Sequence, residues 1–149
     1  MSIKILLVED NDGDVLLIRR ALKEHGILHE LRVAETGQEA LDYLAGIGIE
    51  GGTPLPDLML LDLNLPRVDG VTVLNELRRH ESGARVPVIV MSSSDSPRDR
   101  ERIAGLGAAH YFRKPMEYQI YMQLGLIVKR VLEESRGEAG AVEDPARGC

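Results

Sequence analysis

"LMLLDLNLPRVDG", residues 58–70, is the stretch that decides the fold of this chain of 149 residues. Its first four residues are apolar and have the composition of a strand that is buried on both faces. The strand ends on Asp62, and Pro66 and Gly70 follow it as turn residues. A strand that ends on a carboxylate is either a solvated strand end or one side of a site, and other parts of the chain decide which.

Five short runs of strand length recur along the chain, and helical patterns separate them. The runs are "IKILLV" (3–8), "HELRVA" (29–34), "DLMLLD" (57–62), "PVIVMS" (87–92) and "AHYFR" (109–113). The first, third and fourth runs are almost continuously apolar, which is typical of parallel strands between two helical layers. The alternation predicts an α/β fold with an open doubly wound sheet, and such sheets bind ligands at the carboxyl ends of their strands.

Helix punctuation supports the same alternation. Thr36 and Glu39 have the spacing of a capping box. Ser96 followed by Pro97 predicts a second helix start, and Gly107 predicts the end of that helix. Two further helices show apolar stripes, one at Val15, Ile18 and Leu22 and one at Val73, Leu74 and Leu77.

Composition excludes several classes of function. The net charge of −6 and the pI near 5.2 leave no basic surface for a nucleic acid, so we expect no direct nucleic-acid binding. The single cysteine, Cys149, cannot form an internal disulfide. No targeting segment and no apolar run of membrane-spanning length occurs, so the sequence predicts a cytoplasmic protein without membrane contact.

Charged and polar side chains stand at the carboxyl ends of four predicted strands: Glu9, Asp10, Asp62, Ser92 and Lys114. Because these ends meet at one edge of a parallel sheet, we expect the side chains to converge. Clustered carboxylates repel each other, and Mg²⁺ together with the Lys114 ammonium would supply the counter-charge. The set suits phosphoryl transfer, with Asp62 as nucleophile and Ser92 donating to a phosphoryl oxygen.

Each of these residues alone also fits an ordinary role. A carboxylate at a strand end is commonly a helix cap or a turn residue. The stretch "DNDGD" (10–14) resembles the start of a calcium loop, but Gly13 stands at its fourth position rather than its sixth. No glycine-rich nucleotide-binding motif follows a strand, so neither dinucleotide nor P-loop binding is indicated.

The chain resembles CheY-like receiver domains, the phosphoacceptor half of two-component signalling, over residues 3–134. The resemblance rests on "LLVEDN" (6–11), "LLDLNLPRVDG" (60–70), "VPVIVMSSS" (86–94) and "YFRKP" (111–115), which occur in the order and spacing of that family. It implies a (βα)5 flavodoxin-like sandwich with the parallel strand order 2-1-3-4-5. It also implies that the protein takes a phosphoryl group from a histidine kinase in a Mg²⁺-dependent reaction and hydrolyses it slowly.

The resemblance implies a role for each site residue. Asp62 is the phosphoacceptor, Glu9 and Asp10 hold Mg²⁺ together with Asp62, and Asn64 adds its backbone carbonyl. Lys114 and Ser92 contact the phosphoryl group, and Ser92 and Tyr111 move together as the switch. Asn64 and Ser94 flank the path of the attacking water and tune dephosphorylation. The peptide bond between Lys114 and Pro115 is expected to be cis by the same resemblance.

The partners follow from the subgroup and from the last helix. "VEDNDGDV" (8–15) and the loop 45–56 resemble stand-alone response regulators that are paired with phytochrome-type histidine kinases.

The helix 117–134 carries a stripe for the sheet at Ile120, Leu124, Ile127 and Val131, and Tyr121, Met122, Leu126 and Val128 add further apolar surface. A helix that is apolar nearly all round is covered on more than one side, so the sequence predicts a homodimer through this helix. The alternative is a single core stripe with scattered exposed apolar residues.

Residues 1–134 are predicted to form the receiver domain. Residues 135–149 are predicted to be a mobile polar tail without an output domain. Two other function classes stay open: an aspartate-nucleophile phosphatase, and a receiver-like interaction module that works without phosphorylation. Such phosphatases typically carry a general acid two residues after the nucleophile, where this chain has Asn64, so the switch is favoured.

Overall fold

The computed structural model describes residues 2–94 and 96–143 as an alternation of strands and helices. In chain order these are β1 (Ile3–Val8), α1 (Asp12–Glu24), β2 (His29–Ala34), α2 (Gly37–Ala45), β3 (Leu58–Asp62), α3 (Gly70–Arg79), a 3-10 turn (Ser82–Arg85), β4 (Val88–Ser92), α4 (Pro97–Gly105), β5 (His110–Arg113), α5 (Tyr118–Met122) and α6 (Leu124–Glu143). Within these described residues, no helix is both long and apolar enough to cross a lipid bilayer.

The five strands form one parallel sheet in the order β2-β1-β3-β4-β5, which confirms the predicted doubly wound architecture. Three strands begin one residue later than predicted, at Leu58, Val88 and His110. The central strands β3 and β4 are buried along their whole length, because helices cover both faces of the sheet.

Alternate side chains of the central strands β1, β3 and β4 enter two separate hydrophobic cores. On one face, Ile5, Leu7 and Leu60 pack with α1, α5 and α6. On the other face, Leu6 and Leu61 pack with α2, α3 and α4. Each of these central strands is therefore held from both sides, and its carboxyl end is fixed in position.

The helix starts follow the predicted caps in part. Thr36 caps α2 by accepting a hydrogen bond from the Glu39 backbone N–H at 3.0 Å. The Glu39 carboxylate accepts from the backbone N–H of Glu35 at 2.6 Å, one residue before the position that a capping box predicts. Ser96 occupies the N-cap of α4 but makes no side-chain cap hydrogen bond. Gly107 follows α4 in the left-handed region, with φ of 82°.

The predicted last helix is two helices. The His25 ring lies 3.0 Å from the carbonyl oxygen of Met122, and the Leu126 N–H therefore bonds to Gln123 rather than to Met122. A side chain that enters the helical hydrogen-bond ladder breaks the helix. The second part, α6, continues to Glu143, beyond the predicted end at residue 134. Residues 144–149 lie outside the described residues, so the mobility of the tail stays a prediction.

The break also changes which side chains face the sheet. Leu124 and Val131 are buried as predicted, but Tyr121, Met122 and Val128 are buried as well. Ile120, which the sequence placed on the core stripe, is 42% exposed, so that assignment is wrong. A single period of 3.6 residues does not hold across the tighter turn at Gln123.

Close contact between α6 and α1 requires glycine at position 125. A Cβ atom there would lie 2.6 Å from the carbonyl oxygen of Ala21 and would also meet the His25 ring. We expect Gly125→Ala to lower the free energy of unfolding by about 1–3 kcal/mol, because the backbone of α1 cannot give way without repacking. Denaturant unfolding measures this change, provided that the m-value stays constant.

The matched control is Gly105→Ala in α4, where an added Cβ has no heavy atom within 4 Å. This variant is expected to be as stable as the wild type or more stable by up to about 1 kcal/mol. If Gly125→Ala unfolds at the same midpoint as Gly105→Ala, the close contact between the helices is not a constraint.

Candidate functional site

The strand register brings the predicted site residues to one edge of the sheet. Val8 pairs with Leu61 across β1 and β3, and Asp62 pairs with Met91 across β3 and β4. Ser92 at the end of β4 accepts a backbone hydrogen bond from Lys114 at 2.7 Å. The four strand ends therefore stop at nearly the same level, as the predicted convergence requires.

The Lys114 ammonium lies at the centre of the site. Its Nζ is 2.7 Å from Oε2 of Glu9, 3.2 Å from Oδ2 of Asp62 and 3.1 Å from Oδ2 of Asp14. The Glu9 side chain is fully buried, and Asp62 is 5% exposed. Charge-assisted hydrogen bonds of this length hold the ammonium and the carboxylates in a fixed arrangement.

Three carboxylates form a potential cation site beside this lysine. Ligand oxygens of Glu9, Asp10 and Asp62 all lie within 4.8 Å of one another. Glu9 and Asp62 are buried, and Asp10 is exposed to solvent. Hard oxygen ligands with one open side fit Mg²⁺, which binds few carboxylates and keeps several waters.

Burial and neighbouring charges shift the protonation of the site. Burial raises the pKa of Glu9 to about 7, and the nearby charge of Asp62 acts in the same direction, although the hydrogen bond from Lys114 opposes both. Burial alone would lower the pKa of Lys114, but the hydrogen bond to Glu9 and the three carboxylate charges raise it above its usual value. Lys114 therefore stays charged at neutral pH.

Ser92 lies at the end of β4, and its hydroxyl oxygen accepts two hydrogen bonds. The Asn64 side-chain amide donates at 2.9 Å, and the backbone N–H of Ser94 donates at 3.0 Å. These two bonds use both acceptor positions of the hydroxyl, so its O–H proton is the group that remains for a further partner. Ser92, including this hydroxyl, is fully buried.

Tyr111 is tied to the loop that follows Ser92. Its hydroxyl donates to the carbonyl oxygen of Ser94 at 2.9 Å, and the Arg100 guanidinium lies 5.1 Å from the centre of its ring. Ser94 also donates from its own hydroxyl to Asp99 at 3.2 Å. The predicted switch residues thus both bond to Ser94: Ser92 accepts from its backbone N–H, and Tyr111 donates to its carbonyl oxygen.

The loop after Asp62 is held close to the acceptor. The Asn64 backbone N–H donates to Oδ1 of Asp62 at 3.0 Å, so Asn64 lies beside the acidic cluster. A Cβ at Gly70 would lie 2.8 Å from the Asp62 carbonyl oxygen, which explains the glycine at the end of the stretch 58–70. One expectation is wrong: among the described residues no peptide bond is cis, so the bond before Pro115 is trans, the isomer that proline peptides generally favour.

Two residues of this site were missed by the sequence analysis. Asp14 bonds to Lys114, and the Tyr121 hydroxyl donates to Oδ1 of Asp14 at 3.0 Å. An acidic residue in the first turn of a helix and an aromatic residue in an apolar helix both have common structural explanations. The signal that could have identified Asp14 is its position in the first turn of α1, directly after the strand end that carries Glu9 and Asp10.

Known proteins are similar to this chain in sequence and in fold. Residues 5–123 match the family described as the response regulator receiver domain. A probable methanogenesis regulatory protein, FilR2 of Methanothrix harundinacea, is 38% identical over 130 residues, which cover 87% of this chain and 79% of FilR2. The response regulator Rcp1 of Synechocystis is 41% identical over 95 residues, which cover 64% of this chain and 65% of Rcp1, just under two thirds of its length.

Two solved structures of response regulators are closely similar. The phosphorylated cyanobacterial phytochrome response regulator RcpA superposes with a TM-score of 0.79 at 36% identity, over 90% of this chain and 96% of RcpA. The Mn(2+)-bound form of Rcp1 superposes with a TM-score of 0.75 at 33% identity, over 85% of this chain and 91% of Rcp1. With a family match that covers most of its length, the chain belongs to the response regulator receiver domains of two-component systems.

Proposed function

We propose that this protein is a phosphoacceptor switch that takes a phosphoryl group from the phosphohistidine of a histidine kinase onto Asp62. One observation carries the proposal: the Asp62 carboxylate is nearly buried, lies 3.2 Å from the Lys114 ammonium and shares a cation-sized cluster with Glu9 and Asp10. A buried carboxylate beside a fixed ammonium, with a neighbouring site for a metal cation, is suited to accept a phosphoryl group as an acyl phosphate.

The transfer step follows from the positions of these groups. A carboxylate oxygen of Asp62 attacks phosphorus, and the bond between phosphorus and the kinase imidazole nitrogen breaks with its electron pair left on nitrogen. Lys114 stabilises the negative charge on the equatorial oxygens, and the free O–H of Ser92 donates to one of them. The protein acts only on its own phosphorylation and dephosphorylation.

Glu9, Asp10 and Asp62 would hold Mg²⁺, together with the backbone carbonyl of Asn64. When bound, the ion neutralises the carboxylates and the incoming phosphoryl oxygens. The donor set supports this assignment because its side-chain ligands are all carboxylates, and one relative, Rcp1, has been solved in a Mn(2+)-bound form.

The switch consists of Ser92 and Tyr111. A phosphoryl group on Asp62 draws the Ser92 hydroxyl toward it, and the loop that carries Ser94 moves with Ser92. Because Tyr111 donates to the Ser94 carbonyl, the ring changes position with that loop. Asn64, whose backbone N–H donates to Asp62, and Ser94, whose backbone N–H donates to Ser92, would set the rate at which water removes the phosphate.

The proposed partners are a histidine kinase of phytochrome type and a second copy of this chain, in the cytoplasm. The likeness to RcpA supports the kinase class. The exposed side chains of Tyr118, Ile120 and Leu126 on α5 and α6 support the homodimer, since they form apolar surface that is not used inside one chain. Output then comes from partner binding, onward phosphotransfer or dimerisation.

The first test is chemical. With Mg²⁺ and acetyl phosphate, we expect the intact mass to increase by one phosphoryl group, as an acid-stable, base-labile modification. Asp62→Asn should show no increase, because the amide cannot act as the acceptor. Asp69→Asn is the matched control: Asp69 caps α3 in the same segment, asparagine caps equally well, and labelling should be unchanged. Equal labelling of Asp62→Asn and the wild type would remove the central claim.

The second test is the pH dependence of Mg²⁺ binding. Below its pKa of about 7, Glu9 is protonated in the metal-free protein and the ion must displace that proton. The Mg²⁺ affinity should therefore fall about tenfold from pH 8 to pH 6, with about one proton released per ion at pH 6. Calorimetric titration in two buffers measures both quantities. Glu9→Gln should bind more weakly and lose most of this dependence, and an affinity that is equal at pH 6 and pH 8 contradicts the assignment.

The third test concerns the homodimer. Size-exclusion chromatography with light scattering should show the mass of two chains at micromolar concentration. Leu126→Glu should give monomers, because it places a charge in the proposed interface. The control is Leu16→Glu on α1, where the side chain is exposed to a similar degree, 53% against 51%. A wild type that elutes as a monomer with and without acetyl phosphate would exclude the dimer.

A further inference from the structure

The three carboxylates around Lys114 do not have equal roles. The ammonium has three N–H donors, and Glu9, Asp14 and Asp62 each accept one. Glu9 and Asp62 belong to the cluster that would bind a cation. Among the described residues, Asp14 contacts Lys114 without belonging to that cluster, so a bound cation leaves this contact in place.

Asp14 is held in position through both its backbone and its side chain. Its backbone N–H donates to the side chain of Asn11, the N-cap of α1, at 2.9 Å. Its Oδ1 accepts from the Tyr121 hydroxyl at 3.0 Å, and its Oδ2 faces Lys114. Asp14 therefore bridges α5 and the site lysine.

Tyr121 is anchored within the core. It is 2% exposed, and its ring meets Phe112 edge to face with 5.7 Å between centroids. Phe112 lies two residues before Lys114 in the chain. The Tyr121 ring therefore packs against the same segment of backbone that carries the lysine. Burial and then the Asp14 charge raise the pKa of Tyr121, and the hydroxyl remains a donor at neutral pH.

We propose that Asp14 and Tyr121 are positioning residues for the phosphoryl transfer: Tyr121 fixes the Asp14 carboxylate, and Asp14 holds the Lys114 ammonium beside the transferred group. This inference rests on the proposed phosphorylation of Asp62. When a cation engages Glu9 and Asp62, Lys114 keeps Asp14 as its fixed partner and turns its other N–H donors to the phosphoryl oxygens. Preorganised charge of this kind acts in the transition state and not in binding of the phosphodonor.

The test compares two pairs of variants. Within each pair the same substitution is made at a residue of the Lys114 network and at a residue outside it. Asp14→Asn removes the charge that faces Lys114, and Tyr121→Phe removes one hydroxyl and keeps the buried ring. The controls are Asp12→Asn, which removes an equal charge from the same helical turn, and Tyr43→Phe on α2, which removes a hydroxyl that donates to the Pro54 carbonyl oxygen, outside the site. The rate of Asp62 phosphorylation is measured at saturating Mg²⁺ and varied acetyl phosphate.

We expect the maximal rate to fall about tenfold for Asp14→Asn and about threefold for Tyr121→Phe, since small displacements of a catalytic group are costly. The half-saturating concentration of acetyl phosphate should stay within about twofold, because donor binding is not affected. The double variant should be no slower than Asp14→Asn, since Tyr121 acts through Asp14. Both controls should match the wild type.

A second readout separates positioning from a general loss of structure. The ¹⁵N ammonium signal of Lys114, assigned by its loss in Lys114→Arg, should shift and exchange protons faster in Asp14→Asn and Tyr121→Phe but not in the controls. A purely structural role would lower the unfolding midpoint and leave the signal unchanged. If Asp14→Asn does not fold, Tyr121→Phe decides the question.

The outcomes distinguish this inference from the proposed function. Wild-type rates and an unshifted Lys114 signal in Asp14→Asn and Tyr121→Phe would overturn the positioning role while Asp62 still takes phosphate. If the wild type takes no phosphate, the proposed function fails, and the Lys114 signal alone shows whether Asp14 and Tyr121 hold the ammonium.

Discussion

The structure of the site depends on one partly buried ammonium among three carboxylates. Lys114 has an exposed side-chain fraction of 13%, and it compensates only part of the negative charge that Glu9, Asp14 and Asp62 place around it. Burial, with the charge of Asp62 acting in the same direction, raises the pKa of Glu9, and the uncompensated negative charge leaves the site with a need for a second positive charge. Clustered carboxylates with too little counter-charge lower the stability of a fold, so their presence indicates a function. The sheet, which helices cover on both faces, is rigid enough to keep these charges together.

Much of this could be predicted from the sequence because the relevant signals are local. Continuous apolar runs identify parallel strands, and the rule that strand ends meet at one edge joins Glu9, Asp62 and Ser92 although they lie far apart along the chain. The strands were predicted to within one residue at their starts, because apolar side chains must stop where the helical layers stop.

The errors arise where a contact between distant residues decides a local structure. Near Gln123 the sequence offers only Gly125, which weakens a helix without fixing where it breaks. The contact that accompanies the break comes from His25, 97 positions before Met122 in the chain. The face of Ile120 was assigned wrongly for the same reason, because the turn at the break rotates α5 relative to α6. Asp14 and Tyr121 were missed because each has an ordinary local explanation, and only their distances to each other and to Lys114 reveal a shared role.

The break at Gln123 also divides the C-terminal part of the fold into two units of unequal stability. A helix of five residues is too short to persist by itself, so α5 depends on the buried side chains of Tyr121 and Met122 and on the His25 contact. The longer α6 packs on α1 through Gly125 and does not need α5 to remain helical. Local opening of the chain can therefore release the segment between Pro115 and Gln123 as a separate cooperative unit, while the sheet and α6 stay folded.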